Sequence, residues 1–79
     1  MSGDPVKAFG LVVRELRQSL NWSQEVLAEE TGLDRTFISQ LETGRKQPSL
    51  LTIFRLARSL QVESSYLLLQ VEARLQAAD

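Results

Sequence analysis

Arg35, Thr36, Ser39 and Gln40 are side chains that can hydrogen-bond to the edges of DNA bases, and their spacing puts them on one outward face of a short helix. Arginine donates two hydrogen bonds to guanine, and glutamine pairs bidentately with adenine. Serine and threonine donate or accept, and the threonine methyl can touch thymine. None of the four is acidic. Arg45 and Lys46 follow just past the predicted end of that helix, where they can neutralise phosphates flanking a groove. Gln24 is placed at the start of an earlier helix, beside free backbone N–H groups that bind phosphate oxygens. Phe37 lies at the edge of the reading face, divided between packing against the turn and lying on a sugar or a thymine methyl.

The composition narrows the alternatives. Cysteine and histidine are both absent, which removes disulfides, Cys/His zinc sites, iron–sulfur clusters and any Cys–His or Ser–His nucleophilic pair. Glu29 and Glu30 are adjacent carboxylates, but consecutive helical residues do not face each other, so they make no acid/base pair. We therefore expect no catalytic residue, no metal and no cofactor. The net charge of -1 conceals an uneven distribution. Residues 34–60 carry a net +3, while residues 1–33 and 61–79 carry -2 each. An anion-binding surface belongs to the middle of the chain. With no signal-like N-terminus and no apolar run long enough to span a bilayer, a cytoplasmic location is expected.

The elements that must position these residues are helices. Val6, Phe9, Val13, Leu16 and Leu20 recur at steps of three and four, which defines one apolar face over about residues 5–20. Asp4 is its expected N-cap, Pro5 suits its first turn, and Asn21 is its stop. Ser23 is expected to cap a second helix over about residues 24–31, with Trp22 and Leu27 as a hydrophobic staple and Glu25 favourably placed in the first turn. Gly32 ends it. Asp34 is expected to cap a third helix that stops at Gly44, with Leu33 and Ile38 as its staple. Pro48-Ser49 opens a fourth helix to about Leu60, and Glu63 or Ser64 a fifth over about 64–77. Seventy-nine residues allow one small all-helical domain, 1–79, of five short helices. Only Gly32-Leu33-Asp34 separates helices 2 and 3, so they must cross steeply as a helix-turn-helix.

The stretch from Ser23 to Leu50, SQEVLAEETGLDRTFISQLETGRKQPSL, resembles the Cro/cI-type, or XRE, family of helix-turn-helix DNA-binding proteins. The resemblance extends from about Phe9 to Leu69 and implies a compact lambda-repressor-like domain. The segment Leu33 to Ser39 and the small size are similar to restriction–modification controller proteins, which are homodimeric transcription regulators. By this resemblance Arg35, Thr36, Ser39 and Gln40 read bases. Ser23, Gln24, Phe37, Thr43, Arg45 and Lys46 fall among the contacts to the DNA backbone. Arg17 and Glu42 match a salt bridge that orients the arginine toward phosphate.

Helix 5 raises the question of assembly. Leu67, Val71 and Leu75 recur every four residues with Leu68 and Leu69 beside them. Five large apolar residues exceed what closing a four-helix core needs. A homodimer interface through Leu67, Leu68, Val71 and Leu75 of helix 5, with part of helix 4, is expected, against the simpler reading of a helix that only caps its own domain. Such a dimer would set two copies of helix 3 about 34 Å apart, in successive major grooves of a palindromic operator. The expected partners are double-stranded DNA and a second copy of the chain. Contact of helix 2 with RNA polymerase is left open by the charge pattern. The alternative function is an antitoxin-type interaction module in which helix 5 covers a toxin and DNA binding is secondary.

Overall fold

Residues 3–77 are described by the computed structural model, in which five helices follow one another: α1 (Pro5–Ser19), α2 (Gln24–Thr31), α3 (Arg35–Glu42), α4 (Leu50–Ser59) and α5 (Ser64–Ala77). Among the described residues there is no strand. Three helices start on a side-chain oxygen that takes an otherwise unpaired N–H. Asp4 Oδ1 accepts from Val6 N at 2.9 Å, Ser23 Oγ from Val26 N at 3.1 Å, and Ser49 Oγ from Thr52 N at 3.1 Å. Each cap of this kind contributes about 1 kcal/mol. Asp34 departs from the expectation: it occupies the N-cap position of α3 in extended conformation, but its side chain makes no capping hydrogen bond. The start of α3 rests instead on Leu33, packed on the core, and the fully buried Ile38, the two ends of a hydrophobic staple.

The turn between α2 and α3 is fixed by two neighbours. Gly32 caps α2 with φ of 75°, a left-handed conformation that costs a Cβ-bearing residue and suits glycine. Thr31 is buried, and its hydroxyl donates to Leu27 O at 2.7 Å while accepting from Leu33 N at 3.2 Å. One side chain thus closes α2 and ties down Leu33, the middle residue of the turn, which sets the direction in which α3 departs. Asn21 likewise ends α1 with φ of 59°, as a small polar residue can.

All five helices contribute to one core. Val13, Leu27, Ile38, Leu41, Leu56 and Leu67 are completely buried, one or two from each helix. Burying a leucine or isoleucine side chain contributes about 1.5–3 kcal/mol, and Phe9, Val12, Leu60, Val71 and Leu75 extend the same core. Gly10 lets α1 lie against the end of α3. A Cβ there would sit 2.9 Å from the Glu42 carbonyl oxygen and closer still to that of Leu41. That close crossing brings the last turn of α1 over the C-terminus of α3.

On α5 the structure corrects the expected interface. Leu67, Val71 and Leu75 are buried in the chain's own core, because their four-residue spacing forms the stripe that closes the domain. Of the four expected residues only Leu68 is exposed. The large apolar residues left exposed are Leu50, Leu51 and Phe54 on α4 and Tyr66, Leu68 and Leu69 on α5, with Leu11 on α1. No helix of the described residues is long and apolar enough to cross a membrane.

Candidate nucleic-acid interface

The helical period that buries Ile38 and Leu41 leaves Arg35 and Thr36 exposed, and Ser39 and Gln40 half-buried with access to the same side. These are the four residues singled out for base reading. They share one face of α3, which the crossing with α2 holds out from the domain. Arg35 extends from the first turn with its side chain 55% exposed, and its Nε lies 3.6 Å from Glu25 Oε1. Phe37 is half-buried and packs on the core, which places its ring with the staple more than with the surface.

The turn after α3 is tethered to the reading face. Arg45 N and Lys46 N both donate to Gln40 O, at 2.8 and 3.2 Å, and Gly44 N donates to Leu41 O. Thr43 Oγ1 donates to Ser39 O at 2.9 Å. Carbonyls that a helix C-terminus leaves unpaired are satisfied by this turn, and the same bonds hold the exposed Arg45 and Lys46 beside Gln40. Lys7, which the sequence reading passed over, lies here as well: a Cβ on Gly44 would come within 2.6 Å of its Cγ. Lys7 and Gly44 stand 37 positions apart in the chain, so only the packing of α1 on α3 reveals this neighbour.

Beneath the face lies a buried ion pair. Arg17 Nε donates to Glu42 Oε2 at 2.7 Å and Nη2 to Oε1 at 2.9 Å, a bidentate arrangement, while Nη1 donates to Trp22 O at 2.8 Å. The two side chains are 10% and 3% exposed. The hydrogen bonds to Glu42 push the Arg17 guanidinium above its ordinary pKa against the opposing effect of burial, and the charges of Glu42 and Glu25 act in the same direction. Gln24 Nε2 donates to the same Glu42 Oε1 at 3.1 Å. The salt bridge that the resemblance implied is present. All three Arg17 nitrogens are engaged and little of the side chain reaches the surface. Glu42 thus accepts from Arg17 and from Gln24, linking α1, α3 and the N-terminus of α2. Ser23, next to Gln24, uses its oxygen as the α2 cap and remains exposed.

What this arrangement can do is bind a polyanion with a periodic edge pattern. Hydrogen-bonding side chains project from one short helix, cations flank its end, and an amide stands at the N-terminus of the preceding helix. Among the described residues no group of three acidic, cysteine or histidine side chains is arranged to hold a metal ion. A sequence-family model described as helix-turn-helix matches residues 13–67. The chain belongs to the XRE-type helix-turn-helix family of DNA-binding transcription regulators.

Relatives of this helix-turn-helix protein include control protein C.BamHI of Bacillus amyloliquefaciens. It is 44% identical over 61 residues, which are 76% of this chain and 75% of that one. A Neisseria meningitidis serogroup B protein named as a hypothetical transcription factor is 41% identical over 63 residues, 80% of this chain. The match spans 59% of that protein's own length. Among solved structures, the restriction–modification controller protein C.AhdI from Aeromonas hydrophila superposes with a TM-score of 0.76 at 40% identity, covering 78% of this chain and 94% of that one.

Proposed function

We propose that this helix-turn-helix protein is a sequence-specific regulator that binds a palindromic operator as a homodimer, in the manner of a restriction–modification controller. The observation that carries the reading is the tether between α3 and its exit turn. Through Gln40 O the backbone that carries the residues offered to base edges is hydrogen-bonded to the backbone that carries the cations offered to phosphates. Arg35, Thr36, Ser39 and Gln40 read bases in the major groove. Gln24, Ser23, Thr43, Arg45 and Lys46 fix the register on the backbone. Arg17 and Glu42 act through Gln24.

The dimer reading is supported by the exposed apolar face. Leu50, Leu51 and Leu69 are each more than half exposed, and Phe54 is 52% exposed. Beside them a groove of about 380 Å³ is lined by Pro5, Phe9, Pro48, Ile53 and Leu68. Small soluble domains rarely leave so much large apolar surface uncovered. A second copy of the same face, related by a two-fold axis, would cover it. The interface is thus α4 with the outer side of α5, rather than the stripe that faces the core. Regulation is then by concentration, because dimerisation and operator occupancy rise together.

Selection of bound sequences from a random duplex pool at near-physiological salt tests the reading. The expected product is an inverted repeat with half-site centres about one helical turn apart. A pool that shows no enrichment would overturn the operator reading and leave protein interaction as the use of the fold.

A further inference from the structure

Glu25 is a carboxylate on a face that is otherwise suited to DNA. It stands in the first turn of α2, next to Gln24, with its side chain 66% exposed. Its neighbours are two arginines: Oε1 lies 3.6 Å from Arg35 Nε, and its charge also acts on Arg17. An acid near phosphates weakens DNA binding by like-charge repulsion. Its place in the first turn does favour the helix dipole, but that benefit needs no contact with Arg35. The informative detail is which atom of Arg35 is engaged. A guanidinium presents its donors as a planar fork. At 3.6 Å the contact is an ion pair longer than a hydrogen bond, and it approaches Arg35 from the Nε side, away from the edge formed by Nη1 and Nη2. That edge suffices for a bidentate contact to guanine O6 and N7.

We infer that Glu25 is a positioning residue for sequence readout: it holds Arg35 by its Nε edge so that the terminal edge is presented to a base. The inference rests on Arg35 being a base reader, as proposed above. Arginine loses substantial rotamer entropy when it is fixed on a partner. Tethering it before DNA arrives reduces that loss on binding. The same carboxylate lowers affinity for every duplex, whatever the sequence. Glu25 therefore exchanges general affinity for discrimination.

The experiment compares wild type, Glu25→Gln, Arg35→Ala and the double variant as full chains. Each is titrated with the selected operator and with an operator altered at the base pair that Arg35 reads, and melting temperatures are recorded in parallel. An exposed ion pair shifts an equilibrium by about two- to fivefold. Glu25→Gln is expected to lower the operator-to-altered ratio by that factor while binding random duplex more tightly. In the Arg35→Ala background the substitution leaves the ratio where it was. A ratio unchanged by Glu25→Gln, with all affinities raised together, would overturn the inference and leave Glu25 as a charge alone. An equal loss on all duplexes with a lowered melting temperature would also overturn it, and assign Glu25 to the stability of α2. If Arg35→Ala itself leaves the ratio unchanged, the base-reader assignment falls and the inference falls with it.

Discussion

Removing the Glu42 carboxylate separates the structural role of the buried ion pair from its role in binding. In Glu42→Ala, Arg17 keeps its charge but loses two hydrogen bonds, of 2.7 and 2.9 Å, in a site where its side chain is only 10% exposed. Stranding one member of such a pair costs about 3–5 kcal/mol. A chain of this length has a total stability of about 4–12 kcal/mol, so the variant loses about a quarter of it or more. Urea unfolding followed by far-UV circular dichroism is the assay. The midpoint should fall while the dependence on denaturant is retained. Replacing both partners by apolar residues, as in Arg17→Met with Glu42→Leu, should bring stability back to within about 1 kcal/mol of the wild type, because no charge is left to desolvate. Operator affinity should not return with it, since Gln24 has lost the acceptor that orients it. A loss below about 1 kcal/mol in Glu42→Ala would refute the claim that the pair is desolvated. A doubly substituted protein that binds the operator normally would refute the claim that the pair positions Gln24.

Four further outcomes are expected. Gly10→Ala should destabilise by about 1–3 kcal/mol in the same unfolding assay, as a Cβ at that crossing meets two carbonyl oxygens, where alanine on an open helix face would stabilise. Arg35→Ala should cost about 1–3 kcal/mol of operator binding and relax the preference at one base pair per half-site, measured by titration against altered operators. Lys46→Ala should weaken binding about equally across sequences and reduce the salt slope by about one. Phe54→Glu combined with Leu51→Glu should shift sedimentation toward monomer and weaken operator binding. Helical content should be unchanged, because both side chains are more than half exposed.

The helix ends were legible in the sequence because caps and stops are local. Asp4, Ser23 and Ser49 precede the helices they cap, and Asn21 and Gly32 adopt the left-handed backbone their types permit. The reading face of α3 was legible for a related reason. In an eight-residue helix, fixing Ile38 and Leu41 inward leaves few positions for the outward set. What was not legible depends on distance or on excess. The engagement of all three Arg17 nitrogens involves Glu42, 25 positions away, and a backbone oxygen, which side-chain types do not announce. Glu25 was read only for its effect on the helix dipole, since its arginine partner lies on another helix. On α5 the regular stripe of Leu67, Val71 and Leu75 attracted the interface assignment, yet regularity marks the face that packs on the domain. On α4 apolar residues occupy so many positions between Leu50 and Leu60 that periodicity cannot separate the core face from the exposed one.

The central claim is that α3 lies in the major groove of a two-fold operator, with its side chains at base edges. Methylation interference on the selected duplex tests this directly, because a methyl group on guanine N7 projects into the major groove where an arginine would donate. Two clusters of interfering guanines are expected, one per half-site and about one helical turn apart, with one position in each losing its effect in Arg35→Ala. Interference confined to adenine N3 in the minor groove, or none at any guanine, would contradict it.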